Sequence, residues 1–259
     1  MIPLVDIHCH LLAGLDDGPR TMDDAIEMCH IAWQEGIRVI AATVHIAEPW
    51  PHVTPDRIHA ATGRLVAQLK KIRLPLTVYP CAEVRVRHDL EDMWSQGKLL
   101  SMADRGTYLL IELPTGVFLD LREMVRRFGQ LGVRLILAHP ERHAELLHET
   151  GCVEQLIRLG CLVQVSSDSI TDPPRREDRR ALRRWVRQGT IHLIGSDGHS
   201  PRSRPPRMAE AYRCVAGWAG ADVADRICSI SGMALLEGLP VQTPRPEPAP
   251  KRRWFPRLW

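Results

Sequence analysis

Residues 4–10, Leu-Val-Asp-Ile-His-Cys-His, form a short apolar run with β-branched residues that ends in two histidines. Six further apolar runs follow along the chain, with helical patterns between them. Near-continuous apolar character is typical of parallel strands that are covered on both faces. The predicted strands are 4–10, 38–45, 76–84, 107–113, 134–139, 162–167 and 190–196. Their alternation with helices predicts a single-domain parallel α/β fold, and within that class a closed or nearly closed barrel.

Helix start and stop signals lie between these strands. Thr21 with Asp24 resembles a capping box, and Gly36 would end the helix that begins there. Thr54 before Pro55 places an N-cap ahead of a proline in the first turn. The predicted helices are 21–35, 55–71, 119–131, 153–159, 176–188, 207–219 and 221–231. These helices would connect successive parallel strands.

The composition is that of an ordinary soluble globular protein, with 44% hydrophobic and 25% charged residues in a chain of 259. It excludes a disordered chain, a collagen-like repeat and a disulfide-stapled miniprotein. No apolar stretch approaches the roughly 18 residues that a membrane span needs, and no signal peptide is visible. Seven scattered cysteines are typical of a reducing compartment. The sequence therefore predicts a cytoplasmic protein.

The charge is unevenly distributed. Residues 243–259 hold five basic residues against one glutamate, a net charge of +4, so the other 242 residues carry −1 of the total of +3. A balanced body argues against a nucleic-acid-binding surface. Alternating prolines predict a domain over 1–240 and an extended tail over 241–259. The tail is interpreted as a disordered terminus, or as a peripheral membrane anchor that places Trp254, Phe255, Leu258 and Trp259 among basic residues.

Acidic side chains and histidines recur where the predicted strands end. Six of the seven strands end in, or run into, a His, Asp or Glu, and the sixth strand is followed closely by Asp168. In parallel α/β barrels the C-terminal ends of the strands form the functional face. With Asp17 from the loop after the first strand, the candidate residues are His8, His10, Asp17, His45, Glu83, Glu112, His139, Asp197 and His199.

These residue types predict a metal centre. His8 and His10 are two positions apart, so both side chains would point to one side of a strand. Histidines with carboxylates, and without converging cysteines, suit Zn, Mn or Fe rather than a thiolate site. Nine candidates predict two or three divalent ions, which lower the pKa of a bound water and stabilise charge on a phosphoryl group. The alternative is that several of these side chains are helix caps or core histidines with satisfied hydrogen bonds.

Seven motifs carry these residues. They are Asp-Ile-His8-Cys-His10, Asp16-Asp17-Gly18, Ala-Thr-Val-His45, Ala-Glu83, Ile-Glu112, Ala-His139-Pro-Glu-Arg142 and Ser-Asp197-Gly-His199. In this order, over about residues 4–239, they resemble the PHP (polymerase and histidinol phosphatase) superfamily. Within it, the Asp-Asp-Gly motif and the later Arg204-Pro-Pro are similar to those of bacterial protein-tyrosine phosphatases of capsule and exopolysaccharide biosynthesis.

The resemblance implies a distorted (β/α)7 TIM-like barrel, the PHP fold, that holds three metal ions. These are often manganese, and Fe, Zn, Co or Mg are the other candidates. Carried over motif by motif, it implies one ion on His8, His10, Glu83 and Asp197, a second on Glu83, Glu112 and His139, and a third on Asp17, His45 and His199. Arg142 and Arg204 match arginines that bind substrate phosphate. The sequence departs from the family pattern at 46–50 and at His143, which would alter the substrate rim and none of these ligands.

The activity implied by the resemblance is that of a metal-dependent protein-tyrosine phosphatase, a hydrolase that uses a metal-bound hydroxide. Its implied substrate is a phosphotyrosine-bearing protein, namely the tail of a membrane tyrosine kinase that controls polysaccharide export. One alternative keeps the site but changes the substrate to a small metabolite, such as histidinol phosphate, or to a nucleotide. A second alternative is a metal-loaded regulatory module without turnover.

Two further patterns have simple interpretations. The Cys-x5-Arg spacing of thiol phosphatases starts at Cys81 and again at Cys152, but the first lacks glycine and alternates like a strand, and the second lies in a predicted helix. Neither is expected to form a phosphate cradle. Residues 175–187 hold seven arginines around an apolar stripe and are interpreted as a solvated helix face, or as a docking face for an acidic partner.

Overall fold

The computed structural model describes residues 2–114, 116–117, 119–149 and 151–243. Its sheet has seven parallel strands that lie side by side in the order of the sequence. The strands are Leu4–Cys9 (β1), Ile37–Ile46 (β2), Thr77–Arg85 (β3), Tyr108–Glu112 (β4), Arg134–Ala138 (β5), Leu162–Ser166 (β6) and Leu193–Gly195 (β7). All seven predicted strands are confirmed, and only the last is much shorter than expected.

Helices lie between the strands and after β7. They are Met22–Gln34 (α1), Pro55–Lys71 (α2), Leu90–Ser95 (α3), Arg122–Gln130 (α4), Ala144–His148 (α5), Gly151–Arg158 (α6), Ser167–Thr171 (α7), Arg176–Gln188 (α8), Ala209–Ala219 (α9), Ala221–Asp225 (α10) and Ser231–Leu236 (α11). The sequence does not predict α3, α5 and α7, because five or six residues are too few to show a helical period. A π-helical segment, Arg226–Ile230, joins α10 to α11, so the last helical region ends later than predicted.

Both predicted N-caps are confirmed. The Thr21 side chain accepts a hydrogen bond from the Asp24 amide at 3.1 Å. The Thr54 side chain accepts one from the Arg57 amide at 3.4 Å, and Pro55 occupies the first turn of α2. Each cap satisfies one of the amides that a helix start leaves without an intrahelical partner. The caps therefore fix the points at which the loops after β1 and β2 end.

The barrel closes where β7 approaches β1. A Cβ atom on Gly195 would lie 2.5 Å from the Cβ of His8, so only glycine allows this approach. The Asp197 amide donates to the His8 carbonyl at 2.7 Å, and the His10 amide donates to the Gly198 carbonyl at 2.8 Å. Closure therefore brings the polar end of the first strand directly against the polar end of the last.

One face of the sheet changes from apolar to polar along the strands. Because side chains alternate in a strand, every second residue shares a face. On four strands this face carries Ala41, Thr43 and His45, then Tyr79, Cys81 and Glu83, then Tyr108, Leu110 and Glu112, and finally Leu162, Gln164 and Ser166. The first members of these rows belong to a small buried core, separate from the larger core between sheet and helices. The last members lie at the C-terminal ends of the strands.

Burial of His192 makes the stability of the fold depend on pH. It is buried, its Nδ1 accepts a hydrogen bond from the Val163 amide at 3.0 Å, and burial, with the charges of Arg134 and Arg226, lowers its pKa to about 3. The unfolded chain therefore binds a proton below about pH 6.5 that the folded chain does not bind, so stability falls as the pH falls. We expect His192→Asn, whose amide oxygen can accept the same bond, to remove about 2 kcal/mol of the stability lost between pH 7.5 and pH 5.

The measurement is urea unfolding of both proteins at the two pH values. Other titrating groups contribute equally to both proteins and cancel in the difference. His30→Asn, which changes an exposed histidine of α1, is the control. Parallel pH profiles for the wild type and His192→Asn would contradict the prediction.

The arginine-rich segment is the helix α8, as predicted. Leu182, Trp185 and Val186 of its apolar stripe are buried, and its arginines are exposed. Within the part of the chain that the structure describes, no helix is both long and apolar enough to span a membrane. The predicted tail, with its suggested membrane contact, falls almost entirely on residues 244–259, which lie outside the described residues.

Candidate metal centre

The structure brings all nine sequence-predicted candidates together at the C-terminal ends of the strands. His8, His45, Glu83 and Glu112 lie in β1 to β4, and the other five lie in the loops that follow β1, β5 and β7. Eight of the nine are buried; the exception is the Asp17 side chain, which is 49% exposed. Burial of so many ionisable groups in one place costs free energy unless the charges are compensated. Positive charge placed among these carboxylates and imidazoles would offset this cost, and the arrangement of the donors shows where cations could lie.

Glu83 lies at the centre of the cluster. Its Oε2 is 3.2 Å from Nε2 of His8, 3.2 Å from Nε2 of His10 and 3.4 Å from Nδ1 of His45. Its Oε1 is 2.9 Å from Nε2 of His139. One carboxylate thus faces four imidazoles, with two oxygens that point in different directions. This is the geometry required of a carboxylate that bridges two ions.

The donor atoms fall into four groups, and within each group all atoms lie within 4.8 Å of one another. The groups are His10 with Asp17, His45 and His199; His8 with His10 and Asp197; His8 with Glu83 and His139; and His45 with Glu83 and Glu112. The first group contains the whole of the third ligand set implied by the resemblance, and adds His10. In the second implied set, His139 and Glu112 are 4.0 Å apart, and His45 also lies within 3.7 Å of Glu112. His8, His10 and His45 each belong to two groups, so each is a candidate ligand for either of two ions.

The hydrogen bonds of the imidazoles fit metal binding. Nδ1 of His8 lies 3.0 Å from Oε1 of Gln164, Nδ1 of His10 lies 2.7 Å from Oδ2 of Asp16, and Nδ1 of His199 lies 2.8 Å from the Asp197 carbonyl. A neutral imidazole carries one N–H, so these acceptors place it on Nδ1 and leave a lone pair on each Nε2. In the neutral forms of His8 and His10 the two Nε2 lone pairs, 3.3 Å apart, repel each other unless a proton or a metal ion lies between them. Orientation of a ligating histidine through its other nitrogen is a recurrent feature of metal sites.

Charges within the cluster shift its pKa values in the direction expected of a cation site. Burial alone would raise the pKa of Glu83, but His8, His10 and His139 outweigh it and hold that pKa well below its ordinary value. Burial alone would lower the pKa of His10, but Asp16 and Glu83 raise it well above its ordinary value. The Glu83 carboxylate therefore stays ionised and attracts positive charge, whereas burial and the Glu83 charge raise the pKa of Glu112.

Two of the nine candidates have an unusual backbone conformation. His139 has φ of 32° and ψ of 49°, and Asp197 has φ of 53°. Residues other than glycine rarely adopt positive φ, because the Cβ atom clashes with the backbone, and such strain recurs at functional sites. His139 directly follows β5 and Asp197 lies two residues after β7, and the turned backbone places both side chains toward the cluster rather than along the strand.

Arg142 and Arg204 lie at the solvent side of the cluster. Each donates through Nη2 to Oδ2 of Asp197, at 2.5 Å for Arg204, and Arg142 also donates to the hydroxyl of Ser166 at 3.2 Å. Their side chains remain 43% and 40% exposed. Asp197 therefore offers one oxygen to the candidate ligands and the other to two guanidinium groups, whose remaining N–H donors have no hydrogen-bond partner among the described residues and can contact a ligand from solvent.

Sequence reasoning missed the residues that orient the histidines. Asp16 accepts from the His10 ring, from the His45 amide at 3.0 Å and from the Gly18 amide at 3.0 Å. Asp16 and Asp17 are neighbours in one motif, and the motif does not show which of them contacts which histidine. Gln164 follows the alternation of β6, but an isolated glutamine within a strand is not a signal of a site.

Three other sequence candidates stay outside the donor groups. Asp168 is exposed at the start of α7, and burial of part of its carboxyl raises its pKa. Cys81 is buried in β3, and burial raises the pKa of its thiol to about 12. Cys152 is exposed on α6. A nucleophilic thiolate requires a lowered pKa in a polar environment, so Cys81 is unsuited to thiol catalysis.

The chain is similar in sequence to a known protein family and to several tyrosine-protein phosphatases. The family described as "Capsular polysaccharide synthesis, CpsB/CapC" matches residues 4–237. The tyrosine-protein phosphatase YwqE of Bacillus subtilis is 29% identical over 253 residues, which cover 97% of this chain and 99% of YwqE. The tyrosine-protein phosphatase CpsB of Streptococcus agalactiae is 24% identical over 241 residues, which cover 90% of this chain and 98% of that protein.

The fold of the chain is also similar to that of a solved tyrosine phosphatase structure. A chain from the crystal structures of YwqE from Bacillus subtilis and CpsB from Streptococcus pneumoniae, described as unique metal-dependent tyrosine phosphatases, superposes with a TM-score of 0.88 at 28% identity. The match covers 96% of this chain and all of that chain. Dihydropyrimidinase from Brevibacillus agri, with a TM-score of 0.56 and 11% identity, shares the fold alone. The barrel fold by itself therefore does not determine the chemistry.

Proposed function

Since the chain belongs to the CpsB/CapC family of capsular polysaccharide synthesis, we propose that it is a metal-dependent protein-tyrosine phosphatase. The observation that carries this proposal is the convergence of nine His, Asp and Glu donors with two guanidinium groups at one end of the barrel. Metal ions and arginines both stabilise negative charge in phosphoryl transfer, and here candidate metal ligands and two arginines meet at Asp197.

We assign the nine donors to two or three divalent ions, with manganese as the preferred metal and Fe, Zn, Co or Mg as alternatives. Imidazole and carboxylate ligands bind all of these metals, so the identity of the bound metal depends on its availability in the cell and on the coordination geometry. Bound there, such ions would lower the pKa of a water and stabilise negative charge on the phosphoryl group. Four of the nine donors are carboxylates, so three divalent ions would leave an excess of two positive charges, matched to a phosphate dianion.

Different side chains of the barrel have different roles in this proposed activity. Glu83 holds two neighbouring donor groups at a fixed separation, because its two oxygens face different histidines. Arg142 and Arg204 donate their free N–H groups to the phosphoryl oxygens, and Asp197 fixes both guanidinium groups in place. Asp16 and Gln164 keep His10 and His8 in the tautomer that presents Nε2 to the interior.

For the substrate we propose phosphotyrosine in a protein, in keeping with the names of the relatives. The finer proposal is that the phosphotyrosine of the substrate lies in the tail of a membrane tyrosine kinase. Its dephosphorylation would regulate capsule or exopolysaccharide synthesis in the cytoplasm. All seven cysteines are free thiols, which agrees with a reducing compartment. A small phosphomonoester such as histidinol phosphate remains the competing substrate class.

The test is a comparison of kcat/KM on a phosphotyrosine peptide, the same peptide with phosphoserine, histidinol phosphate and a nucleoside monophosphate. We expect the phosphotyrosine peptide to be preferred by at least about 10-fold, because a phenol with a pKa of about 10 leaves more readily than an aliphatic alcohol. The manganese-loaded protein is used throughout. Faster turnover of histidinol phosphate than of the phosphotyrosine peptide would move the assignment to the competing class.

A further inference from the structure

The ring of His45 differs from the other oriented histidines of the cluster. Its Nδ1 is 3.4 Å from Oε2 of Glu83 and 3.7 Å from Oε1 of Glu112, and its Nε2 is 3.7 Å from Oδ1 of Asp17. Both nitrogens therefore face carboxylates of the candidate centre, and among the described residues none of these three contacts has the geometry of a hydrogen bond. Among the described residues, the ring of His45 has no hydrogen-bond partner, whereas His8, His10 and His199 each have an acceptor at Nδ1.

Instead of a hydrogen bond, the ring of His45 has a stacking contact with the indole of Trp50. The indole lies parallel to the imidazole, with a ring-centroid distance of 4.6 Å and an angle of 8° between the planes. A stacked aromatic ring restricts rotation of its partner about χ2 and leaves both imidazole nitrogens unused. Trp50 lies within residues 46–50, where the sequence departs from the family pattern.

The loop that carries Trp50 is held on both sides. The Trp50 amide donates to the Ala47 carbonyl at 2.7 Å, and the Val53 amide donates to the Trp50 carbonyl at 3.0 Å. Two residues beyond Trp50, Nε2 of His52 lies 3.0 Å from the Leu15 carbonyl, in the loop that carries Asp17. The indole is therefore fixed relative to both the β2 end and the loop after β1.

We propose that Trp50 is a positioning residue for His45, in which the stacked indole takes the place of the hydrogen-bond acceptor that orients His8, His10 and His199. This inference rests on the metal centre of the proposed function. Because stacking engages neither ring nitrogen, His45 can present the lone pair of one tautomer to Glu83 and Glu112 through Nδ1, or that of the other to Asp17 through Nε2. Loss of the indole frees the ring to rotate, which weakens the retention of an ion without removing any ligand.

The experiment measures Mn²⁺ binding to the full chain carrying Trp50→Leu, Trp50→Phe or Trp33→Leu, by elemental analysis after dialysis at a series of free Mn²⁺ concentrations. Removing an outer partner of a ligating histidine typically costs 10- to 100-fold in metal affinity, so we expect Trp50→Leu to weaken one class of bound Mn²⁺ at least about 10-fold. Trp50→Phe keeps an aromatic face and should stay within about 3-fold of the wild type. Trp33→Leu is the matched control, because Trp33 is half-buried on α1 and contacts Arg38 rather than the site.

A second readout uses fluorescence. Paramagnetic Mn²⁺ quenches a nearby indole, so the quenching seen in the wild type should be reduced in Trp50→Phe and unchanged in Trp33→Leu. Equal Mn²⁺ affinity in Trp50→Leu and the wild type would overturn the proposal, and a higher KM for the phosphotyrosine peptide in that case would assign Trp50 to the substrate instead. Failure of the wild type itself to bind Mn²⁺ would overturn the metal centre of the proposed function together with this role.

Discussion

Replacement of Glu83 by glutamine is expected to lower phosphatase turnover by at least about 1000-fold, equivalent to about 4 kcal/mol in the activation barrier. The amide keeps the shape of the side chain but removes the negative charge that faces His8, His10, His45 and His139. Because the two carboxylate oxygens serve adjacent donor groups, one substitution should deplete more than one ion. The measurements are kcat on para-nitrophenyl phosphate and the metal content of the purified protein.

The control for this experiment is Glu123→Gln, which makes the same chemical change on the exposed face of α4. Wild-type protein treated with a chelator should lose activity and regain it with Mn²⁺, whereas Glu83→Gln should not respond to added Mn²⁺ at the concentration that restores the wild type. Full metal occupancy in Glu83→Gln would show that the carboxylate does not bridge two ions.

The second large effect is expected for Arg142→Ala and Arg204→Ala, each of which should reduce kcat/KM by roughly 30- to 1000-fold, or about 2–4 kcal/mol. Each substitution removes charge-assisted donors from the place where negative charge develops on the phosphoryl group. The metal content should change little, because Oδ1 of Asp197 remains 3.5 Å from His8 and 3.7 Å from His10. Kinetics on para-nitrophenyl phosphate and elemental analysis separate the two effects.

The control for the arginines is Arg202→Ala, an exposed arginine two residues before Arg204. Arg142 and Arg204 share the same oxygen of Asp197, so the double variant should lose less than the product of the two single effects. Loss of metal in either single variant would indicate that the arginine holds Asp197 in place rather than phosphate.

The sequence predicted the barrel and the set of candidate residues because both depend on local patterns. Each strand is an apolar run with a polar residue at its end, and parallel strands carry those ends to one edge of the sheet. His45 and Glu83 could be placed there without knowledge of any contact between them. The capping residues Thr21 and Thr54 were equally visible, because an N-cap bonds to amides two or three positions ahead in the chain.

Only the tertiary structure decided which of these residues contact one another. Pairing of Asp16 rather than Asp17 with Nδ1 of His10 depends on the course of a loop that no periodicity describes. Gln164 meets His8 across the barrel although the two are 156 positions apart, and Trp50 reaches His45 through a turn whose geometry depends on the backbone at Ala47. Local sequence sets the face and the end of a strand on which a side chain lies, whereas the distance between two side chains depends on how all seven strands close.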